Sequence, residues 1–142
     1  MYGFPENSCS EVYCSHVLEH VALKDMERTL SGLHRVLAPG GKLYISVPDM
    51  DALCRLFLDP GPLPLDKTVG KTVIMRMMFG GQLDSFDYHY IGLNFGLLEA
   101  FLHDANFREI ERVDSFGCFK DTSGLKFGDV PVTLNVIAVK AQ

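Results

Sequence analysis

From Leu23 the apolar residues return at steps of three and four, at Leu23, Met26, Leu30, Leu33 and Leu37. That spacing predicts one face of an α-helix, with Lys24, Asp25, Glu27, Arg28 and Arg35 filling the other. Pro39-Gly40-Gly41 should stop it, because proline cannot continue a helix and glycine accepts the left-handed cap. The period changes on both sides. EVYCSHV (11–17) is a short apolar run rich in strand formers, following a turn predicted at FPENSCS (4–10). KLYISV (42–47) is a second such run between breakers. Asp49 and Asp51 suit the start of another helix, over ALCRLFLD and ending before GPLPL, since carboxylates meet free amide groups there. DKTVGKTVIMRMMFGG (66–81) and FGLLEAFLHDANF (95–107) predict two more helices, the second closed by a left-handed Asn106. FREIERV (107–113) reads as a charged strand, and VTLNVIAVK (132–140) as a strand buried on both faces. The Gly/Asp/Ser-rich stretch 114–130 is a connection, long for a hairpin.

Strands alternating with helices predict an α/β sheet with helical crossovers. The strands 11–17 and 42–47 are joined through a helix and should run parallel, with a right-handed crossover. The last two follow each other without a helix and should be antiparallel. Neither a repeat nor a linker divides the 142 residues, so 1–142 is expected to be one domain. A net charge of −5 without any basic cluster argues against nucleic acid as a partner. No apolar run approaches the roughly 18 residues that span a bilayer, so no membrane partner is expected. Cys9, Cys14, Cys54 and Cys118 have no C-x-x-C spacing, and no basic-then-apolar leader stands at the start; both fit a reducing, cytoplasmic compartment.

The segments YGFPENSCSEVYCSHVLEHV, LSGLHRVLAPGGKLYISVPD, LLEAFLHDANFREIERV and VTLNVIAVK resemble the class I S-adenosylmethionine-dependent methyltransferases. The pattern RVLxPGGxLxxSVPD is the most specific of them. The resemblance implies the C-terminal half of a Rossmann-like seven-stranded sheet, in the order 11–17, 42–47, 132–140 (antiparallel), 107–113, with flanking helices. It also implies methyl transfer from S-adenosylmethionine to an unidentified acceptor. In open α/β sheets ligands lie outside the carboxyl ends of the strands. The residues implied to meet the cofactor are therefore Ser15, His16 and Leu18, which follow the strand facing it in the family. The family's glycine-rich turn and ribose-binding carboxylate have no counterpart here, so a truncated form is expected that binds the cofactor weakly or not at all by itself. Cys9-Ser10 replaces the family's Phe-Asp, and Asn106 its small glycine.

Three other features bear on chemistry. His89, between two tyrosines in QLDSFDYHYIGLN, is the candidate for orienting an acceptor or removing its proton. HVLEH (16–20) matches H-x-x-E-H, which on a helix would let His16 and His20 ligate zinc while Glu19 polarises a water. That zinc-hydrolase alternative is the weaker one, and no metal is expected. The last feature is the edge left at 11–17, which is a central strand in the complete fold. It carries only Glu11 as a formal charge, whereas charged FREIERV makes a protected edge. A homodimer through strand 11–17 or the adjacent surface is expected. A non-catalytic half-fold acting as an interaction module is the alternative to an enzyme.

Overall fold

The structure, a computed structural model, describes residues 3–61 and 66–141. Tyr2 and most of the break expected at 61–65 lie outside the described residues. In chain order the elements are β1 (Cys9–Ser15), α1 (Met26–Val36), β2 (Leu37–Pro48), α2 (Met50–Leu58) and α3 (Lys67–Phe79). They continue with α4 (Phe95–Asp104), β3 (Phe107–Val113), β4 (Lys126–Phe127), β5 (Val130–Pro131) and β6 (Thr133–Lys140). Four strands form the main sheet in the order β1-β2-β6-β3. β1 and β2 are parallel, and β6 is antiparallel to both β2 and β3. Order and senses are those implied by the resemblance.

Two strands depart most from their expected bounds, each for a backbone reason. β1 begins at Cys9 and ends at Ser15, two residues before the expected 17, because His16 turns the chain with φ +51°. β2 starts at Leu37, five residues before the expected 42, and takes in the Pro-Gly-Gly segment expected as a break. Leu37 closes α1 by donating its amide to the Leu33 carbonyl and then pairs with Cys9. A Cβ at Gly41 would stand 2.8 Å from the Ala38 carbonyl and 3.0 Å from that of Ser10, so glycine is what lets β1 come close. Leu23, expected on the buried face, is 62% exposed. It sits in a separate 3₁₀ turn, Leu23–Asp25, and is out of phase with Met26, Leu30 and Leu33, which are buried.

One face of the sheet is closed by α1 and α4. Leu43, Ile45, Leu134, Val136 and Ala138 meet Leu30, Leu33, Leu98 and Leu102 there. A smaller core joins α2, α3 and Val132. Near β1 the opposite face is covered by the 114–124 segment, where Phe116 packs edge-on against Tyr13 and Tyr44, and the Tyr13 hydroxyl donates to Asp121. Polar pairing finishes the centre of this face: Ser46 donates to Asn135 Oδ1, whose amide nitrogen donates to the carbonyls of Asp114 and Ser123. The long connection 114–130 is therefore anchored, with a 3₁₀ turn at Thr122–Gly124 and the β4–β5 hairpin ahead of β6.

Among the described residues α2, α3 and α4 each begin on a side-chain cap, of which Asp49 is the one expected from sequence. Asp49 accepts from the amides of Asp51 and Ala52, Asp66 from Thr68, and Asn94 from Leu97. Asn106 takes the left-handed conformation expected of it after α4, φ +65°.

Candidate functional site at the end of the first strand

Parallel strands point their carboxyl ends the same way, so Ser15 and Pro48 end β1 and β2 on one side of the sheet. The loop after β2 does not serve a ligand through Asp49. That carboxylate is buried, caps α2 with one oxygen and accepts from Arg112 Nη2 with the other at 2.7 Å. The loop after β1 is different. His16 is left-handed, a conformation uncommon outside glycine, and its amide donates to the Ser46 carbonyl at 2.8 Å. A 3₁₀ turn, Leu18–His20, follows at once.

The turn and the 82–94 loop are sewn together. Tyr90 N donates to the Glu19 carbonyl at 2.7 Å, and the His20 ring pairs through Nδ1 with the Tyr88 carbonyl at 3.0 Å. At the other end His89 N donates to the Phe79 carbonyl at 3.1 Å, and its ring pairs through Nδ1 with the Met77 carbonyl at 2.9 Å. Gly80, φ +80°, makes this approach feasible, since any Cβ there would overlap the Asp87 carbonyl. His20 and His89 consequently meet edge to face, with ring centroids 4.8 Å apart. Glu19 completes the cluster. It is 2% exposed, and its Oε1 lies 3.0 Å from His16 Nδ1. Its Oε2 and His16 Nε2 are buried with no hydrogen-bond partner among the described residues. Burial lowers the His89 pKa, opposed by the Glu19 carboxylate and reinforced by His20, which favours a neutral ring.

The residues singled out from sequence fare unequally. Ser15 and His16 stand at the carboxyl end of β1, and His89 is folded back onto the turn that follows them. The Leu18 side chain is fully buried in the core, so only its backbone is open to a ligand. The helical H-x-x-E-H arrangement is not formed. His16 precedes the helical turn, and its ring addresses Glu19 instead of sharing a face with His20. Glu19 and His20 acquire their importance only from His89, 69 positions further on, and nothing in the sequence marks that meeting. Beside this region, Asp49, Asp51, Arg55, Asp59 and Arg112 line a charged cleft of about 370 Å³.

A parallel β1–α1–β2 unit followed by antiparallel β6 and β3 is the second half of the class I methyltransferase fold. Comparison with known proteins makes this specific. Residues 1–45 match the family described as methyltransferase domain. A structure described as a possible exported protein from Bordetella parapertussis superposes with a TM-score of 0.62 at 15% identity, over 98% of this chain and 41% of its own. A SAM-dependent methyltransferase from Archaeoglobus fulgidus gives 0.56 at 15% identity, over 96% and 62%. The Burkholderia thailandensis 1,6-didemethyltoxoflavin-N1-methyltransferase, solved with 1,6-didemethyltoxoflavin and S-adenosylhomocysteine, gives 0.57 at 17% identity, over 96% and 46%. No curated protein sequence matches the chain significantly. Its first 45 residues match the methyltransferase-domain family, and the whole carries the class I methyltransferase fold. It spans less than two thirds of the length of each of these three structures. No helix among the described residues is long and apolar enough to cross a membrane.

Proposed function

We propose that this chain is part of an S-adenosylmethionine-dependent methyltransferase and supplies one wall of the cofactor crevice from the turn after β1. The observation that carries this is His16: a left-handed residue at the carboxyl end of a parallel strand, fixed by the Ser46 carbonyl, inside the segment that matches the family. Such a turn presents peptide groups outward, and Ser15, His16 and the Leu18 backbone are the groups assigned to the cofactor. The buried Leu18 side chain anchors them. The residues present fit only one side of that ligand. The sequence has no glycine-rich turn between a strand and a helix, because Gly40-Gly41 lies within β2 and Gly80-Gly81 follows α3. Methyl transfer is an in-line displacement, and most of its acceleration comes from alignment. The task of this wall is therefore to hold one reactant, with the Glu19–His20–His89 cluster facing the acceptor.

Titration of the 142-residue chain with S-adenosylmethionine is expected to give no saturable heat at micromolar cofactor. Millimolar S-adenosylhomocysteine should nevertheless shift the backbone amide resonances of residues 15–18. Saturable micromolar binding would overturn the one-wall assignment, and amide shifts absent or confined elsewhere would overturn the location. A second reading, a non-catalytic half-fold that assembles through β1, is favoured by the strand's single hydrogen-bonded neighbour.

A further inference from the structure

Glu19, His20 and His89 each offer a ligand atom within 4.8 Å of the others. Their surroundings choose which atoms are free. A ring nitrogen facing a carbonyl oxygen must carry the proton, so Nδ1 of His20 donates to Tyr88 and Nδ1 of His89 donates to Met77. In a neutral imidazole held this way, Nε2 is the nitrogen that carries the free lone pair. Backbone carbonyls holding the far nitrogen in this way are the usual outer support of a metal-binding histidine. The third donor is the Glu19 Oε2, buried and unpartnered, while Oε1 accepts from His16. Leaving a carboxylate oxygen buried and unpaired is costly, and a cation would remove that cost.

We infer that Glu19, His20 and His89 form a site for a divalent transition-metal ion, with His16 as the positioning residue that orients the carboxylate. Two imidazoles and one carboxylate suit zinc-class ions better than magnesium or calcium, which prefer all-oxygen surroundings. Around a tetrahedral ion with bonds of about 2.0–2.2 Å, ligand atoms stand about 3.3–3.6 Å apart. Donors within 4.8 Å of one another therefore close by up to about 1.2–1.5 Å when the ion binds. Three protein donors leave positions open, where an oxygen or nitrogen of a small molecule would bind. The ion departs from the absence of metal expected from sequence, and it assigns His89 to a metal instead of to a proton. The site rests on these side chains alone and not on the methyltransferase reading.

The test uses tag-free protein with the exposed Cys54 and Cys118 changed to Ser, so that surface thiols do not compete. Titration with Zn²⁺ is expected to show one equivalent per chain, and Co²⁺ to give the visible absorption of a bound ion. His89→Asn and Glu19→Gln should each weaken Zn²⁺ at least 100-fold. His16→Ala should weaken it about 10-fold, the size expected of an outer partner. Circular dichroism identifies any variant that fails to fold, and His20→Asn then replaces it. Absence of Zn²⁺ binding would overturn the proposal, as would binding that ignores these substitutions or a response to Mg²⁺ alone.

Discussion

At Cys14 the thiol lies on the core side of β1, in the same cluster as Leu18 and Leu30. Burial, assisted by the charge of Glu19, pushes it up to about 12. At pH 8 that leaves roughly one thiolate in 10⁴, and the thiolate is the nucleophile. Cys54 and Cys118 are exposed. Alkylation followed by mass spectrometry should therefore modify these two within minutes, with Cys14 reacting only after denaturant is added. Modification of Cys14 in the native chain would contradict its placement. Its burial also follows from strand alternation, because Val12 and Cys14 share one face while Tyr13 and Ser15 share the other. The cluster at Glu19 was far less legible. EH and YHY are ordinary letters in their own segments, and only the hydrogen bonds from the 82–94 loop to the turn bring them together.

Among the elements, α2 has its start both capped and tied to the sheet by one side chain. Asp49 caps it, and the Asp49–Arg112 pair ties its start to β3 across the end of β6. Asp49 is almost fully buried, but the Arg112 side chain is 49% exposed, so solvent screens part of the pair. Losing the cap costs about 1 kcal/mol, and stranding the arginine adds a discounted share of the pair, giving about 2–3 kcal/mol for Asp49→Ala. Asp49→Asn keeps the capping oxygen and should lose only the pair's share, about 1–2 kcal/mol. Urea unfolding of both variants measures this directly; equal losses would mean that the cap contributes nothing. The aspartate's suitability as a cap was readable from its place after a strand. Its partner Arg112 was not, since 63 residues separate them and the sheet order alone decides their meeting.

For the whole molecule the open side of β1 matters most. His16 N points to β2, and alternation then turns the amides of Tyr13 and Ser15 away from it, with no other strand of the described sheet beside them. A sheet edge with so little charge invites pairing. The 142-residue chain is expected to form a dimer in which two β1 strands pair antiparallel about a two-fold axis. Substituting Cys14 would disturb the core, so the useful change is Glu11→Pro, at an exposed position whose amide by the same alternation faces outward. Light scattering should find wild-type dimers and variant monomers of unchanged circular dichroism. A monomeric wild type, or a dimer indifferent to proline, would remove β1 from the interface.

The sequence by itself determined the element types and the sheet order, because period-two and period-3.6 patterns fix which faces are buried and the motif text carries the family's topology. It also placed the cap at Asp49 and the left-handed end at Asn106, whose chemistry is local. Tertiary structure alone decided that β2 would run on through Pro-Gly-Gly, because pairing with β1 outweighs the breaker signal. It alone decided that His16 would leave the strand and that Glu19, His20 and His89 would meet. Those outcomes depend on loops folding over the end of a sheet, where contacts join residues far apart in the chain and no periodicity records the pairing.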